Sequence, residues 1–105
     1  MICKTEQEII IFLKNIEREV QSAAVCVGSG GSLLAGVQAD VFITGEMSHH
    51  TILDSTFAGT SVILCNHCSS ERHYLPKLAG IVKLLTSIDQ VFVSQEDNSP
   101  LRLSE

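Results

Sequence analysis

His67 and Glu71 lie four residues apart, so on a helix that begins near residue 67 an imidazole and a carboxylate share one face. Such a pair can bind a borderline divalent ion such as zinc or iron. The same residues also fit a loop histidine followed by a first-turn glutamate that favours the helix dipole. Two ligands leave a metal site incomplete, because catalytic zinc usually takes three from protein. Glu46-Met47-Ser48-His49-His50 adds a carboxylate and two adjacent imidazoles. Adjacent helical residues diverge by about 100°, so both rings do not easily meet one ion. On a helix, Glu46 pairs with His49 at i,i+3 or with His50 at i,i+4, as ligands or as acid and base. The alternative is a helix start with Glu46 in its first turn and one histidine packed. Gly28–Ser32 can offer backbone N–H groups to an anion. It lacks the G-x-G-x-x-G and P-loop spacings, so a tight turn that lets chains approach closely is the stronger account. Cys65-Asn66-His67-Cys68 is a single C-x-x-C, a weak sign of a zinc knuckle or redox pair, and Cys26 reads as a small core residue.

Alternating elements must position these groups. Thr5 and Glu8 form a capping-box start, and Ile9, Phe12, Leu13, Ile16 and Val20 recur at helical spacing, predicting an amphipathic helix over 6–20. Apolar, β-rich runs predict strands at 23–28, 40–45, 60–65 and 90–94. Between them, helices are expected at 32–38, 46–59 and 69–85, the last disturbed by Pro76. The polar tail from Glu96 has no periodic pattern. Strands alternating with helices imply one α/β layered domain over 1–105, with a mostly parallel sheet of about four strands and three to four helices. Ligands on such sheets collect beyond the carboxyl ends of the strands. Gly28–Ser32, Thr44–His50 and Asn66–Glu71 each follow a predicted strand, so the three segments are expected to converge.

Composition narrows the function classes. The chain has 105 residues, 45% hydrophobic and 18% charged, with a formal net charge of −5. That excludes disorder and coiled coil, disfavours binding to a nucleic-acid backbone, and points to surface covered by more protein. No Lys or Arg occurs between Arg18 and Arg72, so the middle of the chain suits cations better than bare phosphates. The four cysteines are irregularly spaced, the N-terminus lacks a signal-peptide pattern, and no apolar run approaches a membrane span. The expectation is a soluble, cytoplasmic protein with reduced thiols, with a nuclear or mitochondrial pool also open.

The runs Ala39-Asp40-Val41-Phe42-Ile43-Thr44-Gly45-Glu46-Met47-Ser48-His49-His50, Gly59-Thr60-Ser61-Val62-Ile63-Leu64-Cys65-Asn66-His67 and Ser70-Glu71-Arg72 resemble the C-terminal part of the Nif-three-like family. Gly28-Ser29-Gly30-Gly31-Ser32-Leu33-Leu34 resembles that family's glycine–serine loop, and Ser94 to Leu101 its tail. The resemblance runs from residue 20 to residue 101, with wording closest to the eukaryotic members. It implies half of a Nif-three-like fold. It also implies a dinuclear site for zinc, iron or manganese, two ions per complete site, to which His67 and Glu71 are ligands. The remaining ligands, a His-His pair and an Asp, belong to the family's N-terminal half; His49-His50 matches a different His-His and is not that pair. Bacterial members are known as GTP cyclohydrolase 1 type 2 homologues, which implies metal-dependent hydrolysis with His49 or His50 as candidate proton carriers. Family members are more than twice this long and form ring-like oligomers. The expected partners are therefore further copies of the chain, a polypeptide supplying the other half, or other proteins, with metal held weakly until the rest is present.

Overall fold

The computed structural model describes residues 10–12, 19–97 and 99–100. Four strands, β1 (Ile10–Phe12), β2 (Ala23–Ser29), β3 (Val41–Glu46) and β4 (Ser61–Leu64), form one sheet in the order β1-β4-β3-β2. β2, β3 and β4 run parallel, with Phe42 flanked by Ala24 and Val62, while β1 joins β4 antiparallel. The helices are α1 (Gly31–Leu34), α2 (His49–Phe57), α3 (His67–Arg72) and α4 (Leu75–Leu85). This is the mostly parallel α/β layer that the alternating pattern predicts.

One sheet face carries the core. Phe42 and Val62 project from the two central strands onto Leu34 of α1, Ile52 of α2 and Met47, with Ala24, Cys26 and Leu64 around them. At the amino ends of the strands the Asp40 carboxylate accepts from the backbone N–H groups of Gln21 and Ser22, both at 3.0 Å, which fastens the start of β2 to that of β3. Several large apolar side chains among the described residues are exposed: Val25 is 65% exposed, Phe57 81%, Leu84 83% and Leu85 77%. That exposure agrees with the low charge content.

Two expectations fail. Ile10–Phe12 is an edge strand, not part of a helix over 6–20, and Glu19 and Val20 have no regular structure. The β-branched run Ile9-Ile10-Ile11 suits a ladder, and pairing with β4 overrides the helical spacing. Residues 6–9 and 13–18 of that predicted helix lie outside the described residues. Gln90–Ser94 is not assigned as a strand. The other three predicted helices also change bounds. Helix 46–59 starts only at His49, because Ser48 caps it by accepting from Thr51 N–H at 3.2 Å. Helix 69–85 divides into α3 and α4, with Pro76 in the first turn of α4, where its missing N–H costs nothing. Helix 32–38 shortens to α1, since Gly36 at φ +80° turns the chain away.

Candidate functional site

The carboxyl ends of β2, β3 and β4 bring the three polar segments together. Pairing of β2 with β3 shifts register between Cys26 and Ser29, and Gly28 within the shift has φ +67°. This bulge turns the Gly28 backbone toward α3: its N–H donates to Ser70 Oγ at 2.9 Å, and its carbonyl accepts from the buried Thr44 hydroxyl at 3.3 Å. Ser70 in turn donates to the His67 carbonyl at 2.8 Å. The first turn of α3 is thereby anchored on the sheet.

Two glycines set how closely α3 approaches. A Cβ on Gly45 would lie 2.6 Å from the Gly28 carbonyl oxygen and 2.9 Å from His67 Cα. A Cβ on Gly28 would lie 2.5 Å from Glu71 Oε1 and 3.3 Å from His67 Nε2. The place a side chain would fill at residue 28 is thus where the His67 and Glu71 side chains meet.

His67 is the centre of the group. Its Nδ1 lies 2.9 Å from Glu46 Oε1 and its Nε2 lies 3.3 Å from Glu71 Oε1. The Glu46 hydrogen bond, helped by the Glu71 charge and opposed by partial desolvation, holds the imidazolium above its usual range. All three side chains remain about 40–50% exposed, His67 at 38% and the glutamates at 52% and 50%, so an incoming group has access. Because Nδ1 and Nε2 leave the ring in different directions, Glu46 and Glu71 do not face a common point. Among the described residues no group of three or more His, Cys, Asp or Glu is arranged to hold a metal ion.

The i,i+4 spacing of His67 and Glu71 is realised as expected, since α3 begins at His67. Glu46 departs from its expected place. It ends β3 instead of starting a helix, so its carboxylate reaches His67 and not His49 or His50. A pairing across 21 residues and two elements leaves no mark in local spacing. His49 and His50 occupy the first turn of α2, both exposed, with ring centroids 5.9 Å apart at 71°. Among the described residues neither joins the His67 group. Cys65 and Cys68 flank His67 in sequence and are both half-buried.

The fold is a mostly parallel α/β sheet with a carboxylate–imidazole–carboxylate group beyond its strand ends. The chain belongs to the Duf34/NIF3 (NGG1p interacting factor 3) family, whose model matches residues 3–100. It is 52% identical over 83 residues to NIF3-like protein 1 of Drosophila melanogaster, covering 78% of this chain and 28% of that protein. NIF3-like protein 1 of Mus musculus is 42% identical over 91 residues, covering 86% of this chain and 24% of its own length. The crystal structure of a Bacillus cereus protein related to NIF3 shares the fold, with a TM-score of 0.67 at 19% identity over 93% of this chain and 28% of that one. The chain thus spans about a quarter of the length of the relatives it matches.

Proposed function

We propose that this chain contributes His67 and Glu71 as two ligands of a divalent-metal site, that Glu46 orients the His67 ring, and that further polypeptide completes the first shell. The observation that carries this reading is the 3.3 Å separation of His67 Nε2 and Glu71 Oε1 over Gly28. Two donors each about 2.1 Å from one tetrahedral ion lie about 3.4 Å apart, so the pair needs little rearrangement to serve as neighbouring ligands. A ligating histidine also commonly gives its other ring N–H to a carboxylate, and Glu46 stands in that relation to Nδ1. Nitrogen and carboxylate donors suit zinc, iron or manganese. A bound ion would supply Lewis acidity. The chain's own part is to hold the ring in one orientation, keep Glu71 beside it, and leave both open to a reactant. Any hydrolysis of the GTP cyclohydrolase kind, with His49 or His50 carrying protons, belongs to the completed assembly.

Metal content per chain after gentle purification, beside a His67→Ala/Glu71→Ala variant, tests the reading. Zinc, iron or manganese binding that disappears in the variant is expected. Equal metal retention by both proteins would overturn it.

The family description favours a second reading, a protein-interaction module, and the exposed apolar side chains Val25, Phe57, Leu84 and Leu85 supply a surface for it. A partner whose binding survives loss of His67 and Glu71 would support that role independently of the metal.

A further inference from the structure

We propose that Ser70 is a positioning residue of the His67–Glu71 pair, its hydroxyl setting how the two side chains meet over Gly28. That role rests on the metal reading for its consequence and on the hydrogen bonds alone for its geometry. Ser70 is half-buried and stands between the two candidate ligands on α3. The direction of every hydrogen bond around it follows from the groups involved. The Gly28 N–H can only donate, so Ser70 Oγ accepts from it at 2.9 Å. The His67 carbonyl can only accept, so Ser70 gives it its one proton, at 2.8 Å. The Gly28 carbonyl takes its proton from the Thr44 hydroxyl, 2% exposed, at 3.3 Å. Both polar groups of Gly28 are thereby committed, one to α3 and the other to β3.

A serine hydroxyl bonded back to its own helix is ordinary. Here the same oxygen also accepts from a strand 42 residues away, and the ladder explains why it must. Register passes from Cys26 opposite Thr44 to Ser29 opposite Glu46, so Gly28 has no Cα partner on β3. Gly28 is buried, and a buried N–H requires a partner from somewhere else. Ser70 supplies it. Without that hydroxyl the N–H is left unpaired, and the bulge at φ +67° loses its hold on α3. A turn of this backbone acts directly on the pair, because the Cβ place of Gly28 lies 2.5 Å from Glu71 Oε1 and 3.3 Å from His67 Nε2. The helix is also seated closely here: a Cβ on Gly45 would lie 2.6 Å from Ser70 Oγ.

Solution NMR of the metal-free protein, followed by zinc titration, tests the proposal on wild type, Ser70→Ala and Ser55→Ala. Ser55 donates to the Thr51 carbonyl within α2 at 2.8 Å, so its loss removes a comparable helical hydroxyl away from the pair. Expected in wild type are a Gly28 amide protected from exchange and Overhauser contacts from the Gly28 α-protons to the His67 ring and the Glu71 methylene. Ser70→Ala is expected to lose both while its far-ultraviolet circular dichroism is unchanged, and to bind zinc about tenfold more weakly or worse. Ser55→Ala is expected to keep the contacts and the wild-type zinc affinity. A freely exchanging Gly28 amide in wild type would overturn the proposal, whether or not the variants fold. So would Gly28 contacts that survive in Ser70→Ala, or losses as large in Ser55→Ala, which would mark a general effect of stability. A wild type that binds no zinc while its Gly28 contacts still depend on Ser70 would strike the metal reading and uphold the positioning of the two side chains.

Discussion

Glu46 and His67, separated by 21 residues, meet through a 2.9 Å Oε1–Nδ1 contact that ties the end of β3 to the start of α3. The contact fixes which ring nitrogen faces Glu71, and this hydrogen bond is the largest influence raising the His67 pKa. Glu46→Gln keeps the shape and removes the charge. The expected result is a His67 titration, followed by NMR, that falls back toward the ordinary value of about 6.5, and metal affinity reduced about 10–100-fold. An unchanged titration in the variant would mean that Glu46 does not control the ring.

The raised pKa also sets a pH dependence. Protonated His67 interacts with both glutamates in the metal-free protein, and a raised native pKa means stability fully present below the unfolded value of about 6.5. That contribution is lost as pH rises through the raised native value. Metal binding runs the opposite way, because the ligand must shed its proton and affinity falls as pH drops through the same value. Urea midpoints and zinc titrations across this range are expected to move in opposite directions, and the His67→Ala variant is expected to flatten both. Parallel trends would separate the metal from His67.

Gly28 and Gly45 make distinguishable predictions. Gly28→Ala forces an L side chain to φ +67°, costing about 1–2 kcal/mol, and its Cβ meets the flexible end of Glu71. The fold is expected to survive with Glu71 pushed aside, so metal affinity should fall by more than the stability loss accounts for. Gly45→Ala meets backbone at Gly28 and His67, which cannot swing away, and overpacking of this kind costs about 1–3 kcal/mol. Its effect is expected mainly in the unfolding midpoint. If both variants lost metal and stability in the same proportion, the notch over Gly28 would have no special relation to Glu71.

The parallel strands were legible in sequence because each is a short apolar run ended by polar or glycine-rich residues, and their spacing implied that Gly28, Glu46 and His67 would meet. Local spacing also placed His67 and Glu71 on one helix turn. What failed was whatever depends on a partner distant in sequence. Ile10–Phe12 reads as part of a helical stripe until β4 is beside it, and Gln90–Ser94 reads as a strand although no neighbour is present among the described residues. Glu46 follows the same rule: its local neighbours His49 and His50 are candidates by spacing, whereas the residue it reaches, His67, belongs to another element.

Asn66 carries the last prediction. It is the single non-glycine residue with positive φ among the described residues, at φ 69° and ψ 140°, and it directly precedes His67 as the N-cap of α3. Sparsely populated backbone of this kind costs about 1–3 kcal/mol and persists where the surroundings impose it. The turn is held on one side by β4 and on the other by Ser70 bonded to the Gly28 N–H. The Asn66 side chain returns little, since its Oδ1 lies 3.5 Å from Ser69 N–H. Asn66→Gly therefore relieves strain for the loss of a long hydrogen bond and some added chain entropy, and is expected to change stability by no more than about 1 kcal/mol in either direction. Asn66→Val places a β-branched side chain in the same conformation and is expected to cost about 2 kcal/mol or more, or to rotate the peptide and misplace His67. Urea unfolding of the two variants separates these outcomes, and the His67 titration shows whether the ring keeps its place between Glu46 and Glu71. A valine variant matching wild type in both measurements would show that the turn does not impose the Asn66 backbone, and that His67 is placed by its glutamate partners instead.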